Sequence, residues 1–220
     1  SVIQVGSFGS TTPSSVPTEL NENVFGFADP YTDEWLISEE NTYPSKFEQY
    51  KFYQRSNGTY EIQTDTGFDE VTGISNIKFV DKTINILDDV KGTFDQVTGL
   101  NTDSGEMFRL YNAAFARFPD ADGLKYWIDQ FSSGKNTRRV VAQSFLGSAE
   151  FTEKYGSNVS DETYVNNLYK NVLGRGADEE GLNYWVGNLK SGIETRYEAL
   201  LGFAESAENK ALFTEMTGFG

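Results

Sequence analysis

The feature that most constrains this chain is an internal duplication in its C-terminal half. When residues 110–150 are set against residues 168–208, a shift of 58 residues, sixteen of the forty-one positions are identical and no gap is needed. The clearest part is RFPDADGLKYW at 117–127, which returns as RGADEEGLNYW at 175–185. Repeated units of this kind do not bury their apolar faces alone. The duplication therefore predicts two related units that share one core.

Both copies carry the pattern of short helices. A Ser, Thr or Asp directly before a helix accepts hydrogen bonds from its first free N–H groups. The predicted N-caps are Ser104, Asp120, Thr137, Ser148, Ser160 and Asp178. Leu, Tyr, Trp and Phe at helical spacing predict core positions, and Gly134 and Gly192 predict helix C-termini. Residues 100–220 are thus predicted to form an all-α domain, with repeats at about 104–155 and 162–213.

The repeated motif has competing interpretations. Its residues are Arg117, Asp120, Gly123 and Trp127 in the first copy and Arg175, Asp178, Gly181 and Trp185 in the second. DADG looks like half of a calcium loop, but such a loop needs oxygen ligands at alternate positions over about twelve residues. A helical pattern begins after Gly123 instead. We therefore interpret the Asp residues as helix caps and the Arg residues as their structural partners.

The preceding residues, 24–99, carry the signals of short strands. FEQYKFYQ and TYEIQT flank Ser56-Asn57-Gly58, which is the strongest short-range pattern for a β-hairpin. In the following GFDEVTGISNIKFVDKTINI, β-branched and aromatic residues alternate with polar ones. The predicted fold class is therefore α+β, with a small antiparallel β domain at 24–99 before the helical domain.

Residues 1–23 are predicted to form an extended N-terminal arm, because they are rich in Ser, Thr, Gly and Pro and contain no basic residue. Val2, Ile3, Val5 and Phe8 give this arm a β-prone apolar stretch. Two interpretations stay open. The stretch is either a frayed end or edge strand of the chain's own fold, or a strand added to a neighbouring subunit.

Composition excludes several kinds of chemistry. The chain has no Cys and no His, so it cannot hold a disulfide, a catalytic thiolate or imidazole, or a Cys/His zinc site. A net charge of −15 argues against nucleic acid as a partner. No apolar run approaches the roughly 18 residues that a membrane helix needs, so no membrane insertion is expected. The first residues lack the pattern of a cleavable signal, so export is expected to proceed without a visible N-terminal signal.

The pattern LYxxxxxRxxDxxGLxYWxxxxxSG, followed by a helix and SAEF, resembles the bacterial domain DUF4214, over roughly residues 104–217. It is also distantly similar to the phycobilisome linker fold. This resemblance implies a secreted protein of surface layers, adhesion or matrix, often with haemolysin-type calcium repeats upstream and type I secretion. TGFDEVTGISNIKFVDKTINI looks like the last turn of such a repeat, although only Gly67, Asp69 and Val71 match. One Ca²⁺ held by Asp65 and Asp69 is a candidate, against turn residues that bind nothing.

These observations favour a secreted or cell-surface structural protein that is not an enzyme. It is expected to assemble with copies of itself into a homo-oligomer or polymer, such as a filament, surface layer or matrix. No cofactor is expected, apart from the candidate calcium. The alternative is a calcium- or glycan-binding adhesion module, with Tyr50, Tyr53 and Tyr60 as a glycan platform, although same-face aromatics across a hairpin more often pack across the strands. A bacteriophage structural component is a further alternative.

Overall fold

The structure, a computed structural model, describes residues 24–28 and 35–220, with side chains from residue 41 onwards. Seven short strands are followed by nine α-helices within these residues, so the α+β class is confirmed. The arm at residues 1–23, including Val2, Ile3, Val5 and Phe8, lies outside the described residues.

The strands form two small sheets. They are β1 Val24–Ala28, β2 Trp35–Thr42, β3 Phe52–Gln54, β4 Tyr60–Thr64, β5 Gly67–Glu70, β6 Asn76–Lys78 and β7 Thr83–Asn85. One antiparallel sheet has the order β3-β4-β5. The other contains β2-β6-β7, and β1 pairs with the N-terminal part of β2. The hairpin predicted around Ser56-Asn57-Gly58 is confirmed as β3–β4.

The prediction of an antiparallel β domain was wrong for one pair of strands. β2 and β6 run parallel, with Glu40 opposite Asn76 and Asn41 opposite Ile77. Parallel neighbours need a crossover of a dozen residues or more, and the whole β3-β4-β5 sheet serves as that crossover. Alternation of apolar and polar residues specifies the faces of a strand but not its direction, so the sequence pattern could not reveal this pairing.

The helices are α1 Gly92–Phe94, α2 Asp103–Phe115, α3 Ala121–Ser132, α4 Arg138–Leu146, α5 Ala149–Tyr155, α6 Asp161–Leu168, α7 Glu179–Ser191, α8 Arg196–Ala204 and α9 Ala207–Thr217. A π-helical segment at Ile86–Lys91 runs into α1, and a second, Tyr169–Leu173, continues α6. Helical structure therefore begins earlier than the predicted boundary at residue 100. None of the helices described is long and apolar enough to span a bilayer.

Most of the predicted N-caps have their expected role. Thr137, Ser148, Ser160 and Asp178 each accept a hydrogen bond from the first turn of the following helix. Two predictions were wrong. α2 is capped by Thr102, whose hydroxyl accepts from the Gly105 N–H at 3.1 Å, rather than by Ser104. Asp120 precedes α3, but its side chain makes no capping hydrogen bond.

A continuous aromatic core joins the strands to the helices. The ring of Phe118, just before α3, lies 5.1 Å from Phe52 of β3 and 5.0 Å from Phe94 of α1. Phe108 of α2 extends the cluster to Phe213 of α9, at 5.6 Å between ring centroids. The β part therefore packs on the first helical copy and on the last helix.

Candidate functional site

In the first copy, the repeated motif builds a closed ion-pair network. Arg117 follows α2 and forms a two-pronged contact with Glu150, with Nε–Oε2 at 2.6 Å and Nη2–Oε1 at 3.0 Å. It also lies 3.2 Å from Asp120 Oδ2, which accepts from the Tyr111 hydroxyl at 3.1 Å. Burial opposes the charge of Arg117, but the hydrogen bonds to Glu150 and the charge of Asp120 outweigh it and raise the pKa of Arg117. Asp120 thus acts as an ion-pair partner.

The second copy repeats this arrangement with Arg175 and Glu208. The distances are 2.8 Å for Nε–Oε2 and 2.9 Å for Nη2–Oε1. Asp178 lies farther from Arg175, at 3.9 Å, because its carboxylate caps α7 at the Gly181 N–H. Hydrogen bonding to Arg175 lowers the pKa of Glu208.

The principal acidic partners were missed from sequence. We expected Arg117 and Arg175 to bond helix-end carbonyls or to pair with Asp120 and Asp178, and both Arg–Asp pairs are present. Their forked contacts, however, go to Glu150 and Glu208. Both Glu residues belong to the repeated Ser-Ala-Glu, in which Ser caps the helix and Glu lies in its first turn. The repetition of Ser-Ala-Glu was the signal that could have identified this partner.

The motif glycines allow a core tyrosine to pack closely against the following helix. A Cβ on Gly123 would come within 2.7 Å of the Tyr111 hydroxyl oxygen, and one on Gly181 within 2.1 Å of the Tyr169 hydroxyl oxygen. Trp127 and Trp185 then pack on Phe145 and Phe203, at 5.0 and 4.8 Å between ring centroids. The motif is thus a packing unit that joins three successive helices in each copy.

The two copies differ in how well they are covered. In the first copy, Thr93 Oγ1 donates to the Pro119 carbonyl and Gln96 Nε2 to the Ala121 carbonyl, both at 2.9 Å. No side chain in the described part of the chain donates to the corresponding carbonyls of the second copy. The Arg117 side chain is 14% exposed, whereas that of Arg175 is 43% exposed. The first copy is therefore covered and the second is open.

The open side of the second copy centres on α7. Leu124 of α3 is fully buried, whereas α7 has no fully buried residue. An apolar row on this helix and the turn after it, here named the α7 stripe, comprises Leu182, Trp185, Val186, Leu189 and Ile193. Ile193 is 71% exposed, and the corresponding residue of the first copy is Lys135. The two duplicated helices thus differ at Leu182, which is half-buried where Leu124 is buried, and at the exposed Ile193. Trp127, Ile128 and Phe131 of α3 are half-buried like their counterparts on α7.

A buried ion pair between the copies was also missed. Arg109 of α2 is 3% exposed and contacts both carboxylate oxygens of Glu205, each at 3.0 Å. Its Nη1 donates to the Leu100 carbonyl at 2.8 Å. Burial raises the pKa of Glu205 despite the charge of Arg109. An Arg inside the apolar stretch EMFRLYNAAF was the signal for such a pair.

The two predicted calcium ligands lie at one cavity of about 610 Å³. Asp69 accepts a hydrogen bond from the Tyr43 hydroxyl at 3.0 Å, and Asp65 lies in the turn between β4 and β5. Tyr50, Gln49 and Gln63 also line the cavity. No group of three or more acidic side chains suited to a metal ion is present among the side chains described, from residue 41 onwards.

The three tyrosines considered as a glycan platform do not share a face. Tyr53 is buried and its hydroxyl donates to Gln63, Tyr60 stacks on Phe94, and Tyr50 packs edge-on against Tyr43. Tyr50 alone of the three lines the cavity beside Asp65 and Asp69. Packing therefore explains Tyr53 and Tyr60.

A second cavity, of about 580 Å³, lies between the β part and both helical copies. Its wall includes Lys51, Arg117 and Lys154, together with Lys170 and Asn171 of the π-helical segment after α6. A third, of about 770 Å³, lies beside α4 and α8, where Arg138 pairs with Glu106 and Arg139 with Glu198. Both Arg side chains of the third cavity are thus paired with two of the four Glu side chains that line it.

Comparison with known proteins identifies a DUF4214 domain, a domain of unknown function, at residues 142–213. This range runs from within α4 to within α9 and contains the whole of α7. No curated protein and no solved structure matches the chain. The match is shorter than the expected range of 104–217, since it omits α2 and α3.

Proposed function

We propose that this chain is a secreted or cell-surface structural protein, without catalytic activity, that assembles with copies of itself. The observation that carries the proposal is the exposed Ile193 at the end of the half-buried α7 stripe, where the first copy has Lys135. A contiguous apolar face on a soluble protein marks an interaction site. The family match at residues 142–213 includes this stripe.

The occupant that we propose for the stripe is the N-terminal arm of a neighbouring copy. Val2, Ile3, Val5 and Phe8 supply apolar side chains in a segment free of basic residues. The 23 residues before β1 span roughly 75 Å when extended. A compact chain of 220 residues has a radius of gyration of about 17 Å. The arm is therefore long enough to reach another subunit.

The first experiment measures assembly by light scattering over a range of protein concentrations. Deleting residues 1–12, or replacing Ile193→Lys, is expected to shift the population toward single chains, because either change removes apolar contact. Ile193→Lys introduces the residue found at the same place in the first copy, and its position is exposed, so folding is expected to be unaffected. The control is Val80→Lys, since Val80 is 67% exposed but lies in the β part. Equal particle sizes for all four proteins would rule out the proposal.

The second experiment tests the contact between arm and stripe directly. The chain contains no Cys, so one variant with Ile3→Cys and another with Ile193→Cys each carry a single thiol. Mixed and oxidised, they are expected to form a disulfide-linked pair between copies. Ile3→Cys mixed with Val80→Cys is the matched control. A single chain carrying both changes that closes on itself at high dilution, without mixed pairs, would show that the arm contacts its own subunit and would contradict assembly through it.

A second candidate function, glycan binding in adhesion, is favoured by the cavity that Asp65 and Asp69 line. Carboxylates, the amides of Gln49 and Gln63 and the ring of Tyr50 are groups that bind sugar hydroxyls and sugar faces. Calorimetry with neutral disaccharides and with Ca²⁺ tests both ligands of this alternative. Asp65→Asn with Asp69→Asn is expected to abolish any heat of binding, and Glu162→Gln with Glu179→Gln is the control of equal charge. Absence of heat with the unmodified protein would remove this alternative.

A further inference from the structure

The cavity between the β part and both helical copies differs in charge from the rest of the molecule. The chain has a net charge of −15 with 18 basic residues, yet five of them line this one cavity, against two acidic residues. The basic residues are Lys51, Arg109, Arg117, Lys154 and Lys170, and the acidic residues are Glu48 and Glu153. Basic side chains are thus concentrated at a concave site in an acidic protein.

Several of these charges are already engaged. Arg109 is paired with Glu205, Arg117 with Glu150, and Lys154 with Glu48. Lys51 and Lys170 take part in no ion pair or side-chain hydrogen bond within the described part of the chain. Two ammonium groups therefore remain available at the cavity.

Three backbone carbonyls at the cavity already accept hydrogen bonds from side-chain amides. The amide nitrogens of Asn112, Asn171 and Asn209 donate to the carbonyls of Arg117, Lys154 and Ala204, at 2.9, 3.1 and 2.7 Å. All three Asn residues line the cavity. Carbonyls at helix ends are the usual intramolecular acceptors for Lys, and here amide groups serve several of them. Burial, and to a smaller extent the charge of Lys46, lower the pKa of Lys154.

We propose that this cavity binds a small oxyanion: a phosphate, sulfate or carboxylate group, either as a free ion or on an acidic sugar. Lys51 and Lys170, which both line the cavity, supply the two unpaired ammonium groups. A charged acceptor gives stronger hydrogen bonds than a neutral one, and at 580 Å³ the cavity has room for a monosaccharide. This site is separate from the α7 stripe and does not depend on self-assembly.

The test is calorimetry at low ionic strength with three probes: inorganic phosphate, inorganic sulfate and glucuronate. Lys51→Gln with Lys170→Gln is expected to weaken binding by at least about tenfold, because it removes both unpaired charges. Lys135→Gln with Lys190→Gln makes the same change in net charge at exposed lysines outside the cavity and is expected to leave binding unchanged. Lys51 also lines the neighbouring cavity, whereas Lys170 does not. Weaker binding by Lys170→Gln alone would therefore place the ligand in this cavity.

Each outcome decides the proposal. Preferential binding of glucuronate would support an acidic sugar, and equal binding of all three probes would support a free oxyanion. No binding of any probe by the unmodified protein would overturn the proposal, and so would equal loss in both double variants. Thermal unfolding without ligand checks that every variant is folded, since all the substituted lysines are exposed or unpaired.

Discussion

At the residue scale, the repeated Gly is explained by close approach rather than by a turn. Gly123 and Gly181 lie in helices, where Gly is unfavourable relative to Ala. Each is retained because the hydroxyl of a core tyrosine occupies the space where a Cβ would lie. The glycine in each copy of the motif therefore leaves the space that the tyrosine hydroxyl occupies.

Gly181→Ala is expected to lower the free energy of unfolding by about 1–3 kcal/mol, because the new methyl group overlaps Tyr169 Oη. Gly187→Ala in the same helix is the matched control. Nothing lies within 4 Å of a Cβ there, so the higher helix propensity of Ala is expected to stabilise by roughly 0.5–1 kcal/mol. Urea denaturation measures both values. Two changes of the same sign would contradict this explanation.

At the element scale, the duplicated helices α3 and α7 share a motif but not an environment. α3 is covered by the segment that contains Thr93 and Gln96, while the α7 stripe is only half-buried apart from the more exposed Ile193. Regions with few buried apolar contacts open at lower free energy than the core. The second copy is thus expected to open locally before the first.

Replacing Leu124→Ala and Leu182→Ala compares equivalent positions in α3 and α7. The loss in unfolding free energy is expected to be about 3 kcal/mol for the fully buried Leu124 and roughly 1 kcal/mol for the half-buried Leu182. Amide hydrogens of α7 are expected to exchange faster than those of α3. Equal losses together with equal exchange rates would mean that α7 is covered as well as α3.

The sequence predicted these helices, the β3–β4 hairpin and most of the caps because local chemistry specifies them. Ser148 or Thr137 before an apolar period is sufficient to start a helix. The sequence did not predict the parallel β2–β6 pair, the forked contacts to Glu150 and Glu208, or the exposure of Tyr126 and Tyr184. These features depend on which elements contact one another in the fold. Two similar motifs in a sequence do not show that the Arg of one is more buried than the Arg of the other.

At the scale of the whole molecule, one aromatic cluster connects the β part to the helices. Phe118, which is 2% exposed, contacts Phe52, Phe94 and Phe108. Residues 24–99 and 100–220 differ in sequence pattern, but the buried apolar side chains described from residue 41 onwards form a single cluster. The β part thus supplies the cover that the first helical copy needs.

Phe118→Ala is expected to lower the free energy of unfolding by roughly 3–5 kcal/mol, because it leaves a cavity where strands and helices meet. Both parts are expected to unfold in one transition, in the variant as in the original chain. Far-ultraviolet circular dichroism follows the helices, and near-ultraviolet dichroism follows the aromatic core. If the two signals change at different temperatures in the unmodified protein, the parts do not depend on each other in this way.

The end of α9 contacts the β part, whereas the end of the equivalent helix α5 contacts the next helical copy. α5 and α9 are equivalent, since each begins with Ser-Ala-Glu, but their C-terminal ends meet different neighbours. Asn167 donates to the Tyr155 carbonyl, which links α5 to the next copy, whereas Gln54 of β3 donates to the Thr217 carbonyl at the end of α9. A further helical unit packed on the end of α9 would have to replace this hydrogen bond from Gln54. The β part therefore contacts the end of α9, as the second copy contacts the end of α5.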